Sequence, residues 1–148
     1  MSSTIQNAVY RGRFLVVVCL LGVSSGASAQ TNGVTWVNVV NAAVAGSTLQ
    51  KNAGCDGCED AGGRSEQPLS GDGFVEFTVG ETGTFWVAGL NHTDASTLIS
   101  DVDFAFRFNG SGYADVLESG AYQPGGDTTY VPGDVFRIAI VGGRVQYS

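Results

Sequence analysis

Cys55-Asp56-Gly57-Cys58 is the sharpest chemical signal in the chain. A Cys-x-x-Cys pair can serve as a redox dithiol, as half of a zinc site or as a local disulfide. Thioredoxin-type chemistry needs a βαβ setting that this sequence lacks. A zinc site needs two further ligands, and His92 is the only histidine. A disulfide needs only that the two Cα atoms approach, which a turn centred on Asp-Gly achieves for residues three apart. Cys55 and Cys58 are therefore expected to form a disulfide that stiffens its loop, contributing about 2 kcal/mol through closure of so small a ring. Asp56, Glu59 and Asp60 crowd the same loop, and Asp72 follows it. Several oxygens on a constrained loop suit Ca²⁺, so these first three are the calcium candidates, although their spacing departs from D-x-[DN]-x-[DN]-G. No other cofactor is expected.

Catalytic groups are scarce. His92 stands alone in a polar stretch, with no serine and carboxylate in a pattern that would complete a triad. Asp101 and Asp103 run directly into an apolar strand, so they are expected to cap a loop or accept from backbone amides. Recognition chemistry is better provided for, because aromatic faces stack on sugar rings beside polar groups that orient hydroxyls. The available rings are Trp36, Trp86, Tyr113, Tyr122 and Tyr130. Tryptophans of a β-sandwich tend to be core residues, so Tyr113 and Tyr122 lead as ligand-binding candidates, with Trp86 behind them. Asn91-His92-Thr93 and Asn109-Gly110-Ser111 also fit the N-x-[ST] acceptor pattern.

These residues must be positioned by strands. Val34–Val40 and Thr48–Lys51 are β-rich, with a bend over Asn41–Ser47, and Asn52–Asp72 reads as a long surface loop. Phe74–Val79 and Thr84–Leu90 flank Gly80-Glu81-Thr82-Gly83, which predicts a hairpin with a four-residue loop. Asn91–Ser100 shows no element. In Phe104–Phe108 the three phenylalanines share one face, opposite Ala105 and Arg107. Pairing Phe108 with Ala114 and Phe106 with Val116 keeps Asp115 off the core face and sets it opposite Arg107 on the outer face. That register requires a glycine bulge within Asn109–Gly112. Tyr113 then lies on the outer face. Gly120–Tyr130 reads as a loop, and Val131-Pro132-Gly133-Asp134 as a type II turn. Gly142-Gly143 predicts a two-residue hairpin turn that pairs Val141 with Arg144, Ile140 with Val145 and Ile138 with Tyr147.

The N-terminus reads differently. Arg11 and Arg13 precede the ten-residue apolar run Phe14–Val23, and Ala27-Ser28-Ala29 follows. Residues 1–29 thus have the three parts of a secretory signal peptide, and the apolar run is too short to span a bilayer. Cys19 lies inside that run and lacks the context of a lipoprotein. Residues 30–148 form the expected domain. It loses two of seven basic residues and keeps all fourteen acidic ones, so its formal charge is −9. Such a balance argues against nucleic acid and anionic membrane surfaces. The predicted fold is all-β, an antiparallel two-sheet β-sandwich of about eight strands, in a secreted or cell-surface protein without membrane insertion after signal cleavage.

The succession GDGFVEFTV, DVDFAFRF, GYADVLESG and YVPGDVFRIAIVGGRVQY resembles bacterial secreted modules of the concanavalin A-like lectin/glucanase group. The likeness extends from Val34 to Ser148 and implies a jelly-roll sandwich. Glucanases of that group place an E-x-D-x-x-E cluster on one strand so that two carboxyl groups flank the scissile bond. This chain has no such cluster, so it is expected not to be an enzyme, with a glycoside hydrolase as the remote alternative. Members of the group also continue past the last tyrosine into another turn and strand. Their pattern implies that Arg144–Tyr147 lacks a partner here, an exposed edge. The expected function is a non-catalytic exported recognition module, carbohydrate-binding, with a glycan as partner. The alternative is a structural or adhesive cell-surface module acting through a surface protein.

Overall fold

A computed structural model describes residues 8–9, 32–92 and 96–148. The strands are β1 (Ala8–Val9), β2 (Trp36–Val40), β3 (Ala42–Ala45), β4 (Thr48–Lys51), β5 (Gly62–Ser65), β6 (Gly73–Thr78), β7 (Trp86–Leu90), β8 (Phe104–Phe108), β9 (Tyr113–Glu118), β10 (Ala121–Thr129), β11 (Val135–Val141) and β12 (Arg144–Tyr147). A single 3-10 turn, Ile99–Asp101, is the only helical element among the described residues. The all-β expectation holds. β1 lies within the expected leader, pairing in parallel with Gly63 and Arg64 of β5. The positive, apolar and cleavage segments of that leader, with Cys19, lie outside the described residues.

Two sheets make the sandwich. One is four-stranded in the order β10-β9-β8-β7, and the other three-stranded in the order β12-β11-β6. Period-two alternation explains their facing surfaces. Phe106, Phe108, Ala114 and Val116 come from the first sheet, Phe77, Phe136 and Ile138 from the second, and all are buried in one cluster with Trp86. The rings interlock edge to face: Phe106 and Phe108 each lie 4.9 Å from Phe136, at interplanar angles of 72° and 88°. A third sheet, β1-β5-β2, and a β3-β4 hairpin complete the described residues. No described helix is long and apolar enough to cross a membrane.

Both predicted registers are present. Phe108 pairs with Ala114, Phe106 with Val116 and Arg107 with Asp115, and Gly112 supplies the left-handed residue at the bulge with φ +76°. The last hairpin pairs Ile138 with Tyr147, Ile140 with Val145 and Val141 with Arg144. The Val131–Asp134 turn closes with an Asp134 N–H to Val131 O bond of 3.1 Å, and Gly133 takes the positive φ that a type II turn requires.

Four expectations are corrected. The predicted hairpin of Phe74–Val79 with Thr84–Leu90 does not form, since β6 pairs with β11 and β7 with β8. The connection instead crosses between sheets, so that Phe77 and Trp86 reach the same core from opposite sides. Asn41–Ser47 is not merely a bend: β3 pairs with β4 in register from Ala42–Lys51 to Ala45–Thr48. The long loop contains β5, which pairs with β2. Gly120–Tyr130 is not a loop but β10, the nine-residue edge strand of the larger sheet. Its ladder is interrupted between Gln123 and Thr128, where Pro124, Gly125 and Gly126 break the alternation that would have marked a strand.

Candidate functional site

The outer face of the four-stranded sheet gathers the two leading candidates. Tyr113 and Tyr122 are 55% and 46% exposed. Tyr122 pairs with Leu117 on β9, and Tyr113 with Thr129 on β10. Because Tyr113 and Leu117 are four positions apart on one strand, the two rings are anchored on the same face roughly 13 Å apart at 3.3 Å per residue.

Arg107 and Asp115 lie between them in the sheet. The Arg107 Nε donates to Asp115 Oδ1 at 2.9 Å and its Nη2 to Oδ2 at 2.5 Å. The predicted cross-strand pair is therefore bidentate. Hydrogen bonding to Asp115 holds the guanidinium above its ordinary pKa, against an opposing effect of burial. The side chains are 35% and 19% exposed, less hydrated than an open outer face would leave them. The same face is closed at one end, where Val87, Val102, Ala105 and Leu117 form a small second core. Tyr122 Oη donates to Asp127 Oδ2 at 2.7 Å. That bond, followed by desolvation, raises the phenol pKa.

Trp86 does not join them. It is 3% exposed and stacked on Phe108, with centroids 3.7 Å apart and an interplanar angle of 11°. Its candidacy as a ligand-binding residue is corrected, because a ring face covered by Phe108 cannot also receive a sugar. Tyr130 is also buried, and its hydroxyl donates to Asn109 O at 2.8 Å. Trp36 is half-buried, with Nε1 donating to Ser47 O at 2.9 Å.

In the acidic loop, Cys55 and Cys58 form a disulfide with Cα atoms 5.4 Å apart. Gly57, with φ +75°, occupies the turn between them. The calcium candidates do not converge. Asp60 Oδ1 is ion-paired with Lys51 Nζ, and its Oδ2 accepts from the Cys55 N–H at 2.9 Å. Lys51 is only 7% exposed and also donates to Cys55 O and Cys58 O at 2.7 and 3.0 Å. The ammonium thus occupies the position a cation would take and, with the Cys55 amide, lowers the Asp60 pKa. Glu59 turns the other way, its Oε2 accepting from the Ile99 N–H at 3.0 Å, while Asp56 is exposed. The disulfide sulfurs lie close to Asp60 but offer no thiolate to a metal.

Asp101 and Asp103 cap the loop as expected. Asp103 Oδ2 accepts from the His92 N–H at 2.8 Å and meets the imidazole Nδ1. Asp101 Oδ2 accepts from Ser96 Oγ at 2.6 Å. Asn91 of the first acceptor pattern is 4% exposed, and Thr93 lies outside the described residues. Asn109 of the second uses Oδ1 to accept from the Ser111 and Tyr113 amides.

Sequence reasoning missed Asp127, which anchors Tyr122. The Ser119-Gly120 dipeptide, a standard turn signal, would have found it: both residues have positive φ, and the turn pairs Glu118 with Ala121. No protein-family model matches the chain, and no curated protein or solved structure does.

Proposed function

We propose that this chain is an exported, non-catalytic recognition module of the concanavalin A-like kind, and that it binds glycans on the outer face of its larger sheet. The observation that carries this reading is the pair of half-exposed tyrosines, Tyr113 and Tyr122, set in register on either side of Arg107 and Asp115. Rings fixed on a sheet stack on a sugar at little entropic cost, and the charged pair offers donors and acceptors to hydroxyls. Export is supported by the leader-like residues 1–29 and by a disulfide, which persists in oxidising compartments.

The test is binding of the purified protein to a panel of immobilised polysaccharides and surface proteins. Tyr113→Ala and Tyr122→Ala should each weaken glycan binding about tenfold, the loss of one stacked ring, with the melting temperature unchanged. Absence of binding to every glycan, or binding indifferent to both substitutions, would reject the platform. Capture of surface proteins alone would favour the adhesive alternative.

A further inference from the structure

A second site opens on the other side of β10. The interruption after Gln123 leaves a cleft of about 570 Å³ between the edge strands β10 and β12, where the two sheets part. Its floor is the partly buried ring of Tyr147, backed by the buried Phe106 and Phe136, and its polar walls include Glu118, Gln123 and Asp127. Phe106 meets Tyr147 edge to face at 5.5 Å, and Tyr147 Oη donates to Glu118 Oε1 at 3.2 Å. The cleft therefore has fixed walls. Gly126 lets β10 pack closely against Val116 beside the cleft, since a Cβ at that position would meet Val116 Cγ2 at 2.7 Å.

The lining decides the occupant. None of the residues lining the cleft is basic. Among the described residues, Glu118 and Asp127 accept from tyrosine hydroxyls, at 3.2 and 2.7 Å. An anion would face two carboxylates with no basic residue among the lining. A wholly apolar molecule would strip water from carboxylates and an amide without replacing their hydrogen bonds, at a cost. A pyranose meets both demands: its C–H face covers the accessible part of the Tyr147 ring, and its hydroxyls donate to carboxylate and amide oxygens. The volume falls within the ordinary range for small-ligand sites.

We infer that the cleft between β10 and β12 is a binding site for one uncharged pyranose ring. The site shares Asp127 with the outer face, where that residue anchors Tyr122, but it does not require that face to bind anything.

Titration of the labelled protein with methyl glucopyranoside, galactopyranoside and mannopyranoside, followed by NMR, tests this. At least one should saturate with shifts at residues 123–127 and Tyr147, and glucuronate should bind at least about tenfold more weakly. Gln123→Ala, at the rim, should weaken binding about tenfold. Val145→Trp, which fills the cleft, should abolish it. Tyr113→Ala, which lies outside the cleft lining, should leave these shifts in place, so failure of the outer-face reading is distinguishable from failure here. Absence of saturation with all three glycosides, shifts confined to the outer face, equal affinity for glucuronate, or a folded Gln123→Ala that binds normally would each overturn the inference.

Discussion

Lys51 shows how a single side chain can set the character of a loop. Its ammonium has three donors, and it meets two carbonyls of the disulfide turn and the Asp60 carboxylate. A buried charge is tolerated only when paired in this way. Lys51→Met should therefore cost roughly 1–3 kcal/mol, the penalty for leaving those acceptors unmatched, read as a lower midpoint in urea unfolding. The pH dependence has a definite sign. Because Asp60 titrates below its ordinary value in the folded chain, its contribution is complete above about pH 4. It is lost as pH falls through the depressed folded value. Lys51→Met should flatten that part of the acid-unfolding curve, and an unchanged acid limb would show that Lys51 does not govern it. Tyr122 behaves oppositely. Hydrogen bonding to Asp127 raises its pKa, so Asp127→Ala should move the phenol's ultraviolet titration back toward about pH 10.

Strands and their turns were legible in proportion to how far local chemistry agreed with the sheet. The hairpin at Gly142-Gly143 combines a two-residue turn, both glycines at positive φ, with unbroken alternation on either side, so its register could be read directly. The β8–β9 register followed from one electrostatic argument, keeping Asp115 off the phenylalanine face. β5 and β10 were illegible for the opposite reason. Gly-Gly-Arg-Ser has little strand propensity of its own and is ordered by pairing with β2, while Pro124 and its glycines hide an edge strand. The candidate outer face shared these limits. Tyr113 was placed through β9, whereas the setting of Tyr122 awaited β10. β7 makes the packing testable, because all five of its residues are buried although it is the last strand of its sheet. A Cβ at Gly89 would meet Phe104 O at 2.0 Å and the Ala105 backbone at 2.8 Å. Gly89→Ala should thus force β7 and β8 apart and destabilise the fold by about 1–3 kcal/mol, as overpacking does. A variant melting with the parent protein would contradict this packing.

The two sheets are joined across the core by rings, and Tyr147 is the ring that also carries a polar link. It belongs to β12 in the smaller sheet, stands edge to face against Phe106 of the larger one, and bonds Glu118 of β9. Desolvation and the neighbouring carboxylate raise its pKa well above the ordinary phenol value, and burial raises that of Tyr130 in the same core. Both groups are held neutral when folded but ionise near pH 10 once unfolded. Their contribution to stability is therefore complete below about pH 10 and is lost as pH rises toward the folded values, because the unfolded chain then releases protons that the native chain retains. Thermal unfolding should show a melting temperature that declines above about pH 10. Tyr147→Phe keeps the ring and removes the titrating hydroxyl. At neutral pH it should cost at most about 1 kcal/mol for a half-exposed hydrogen bond, and its alkaline decline should be shallower than that of the parent. If the two curves stay parallel through the alkaline range, the link between the sheets is apolar alone, and the Tyr147–Glu118 contact does not couple their stability to pH.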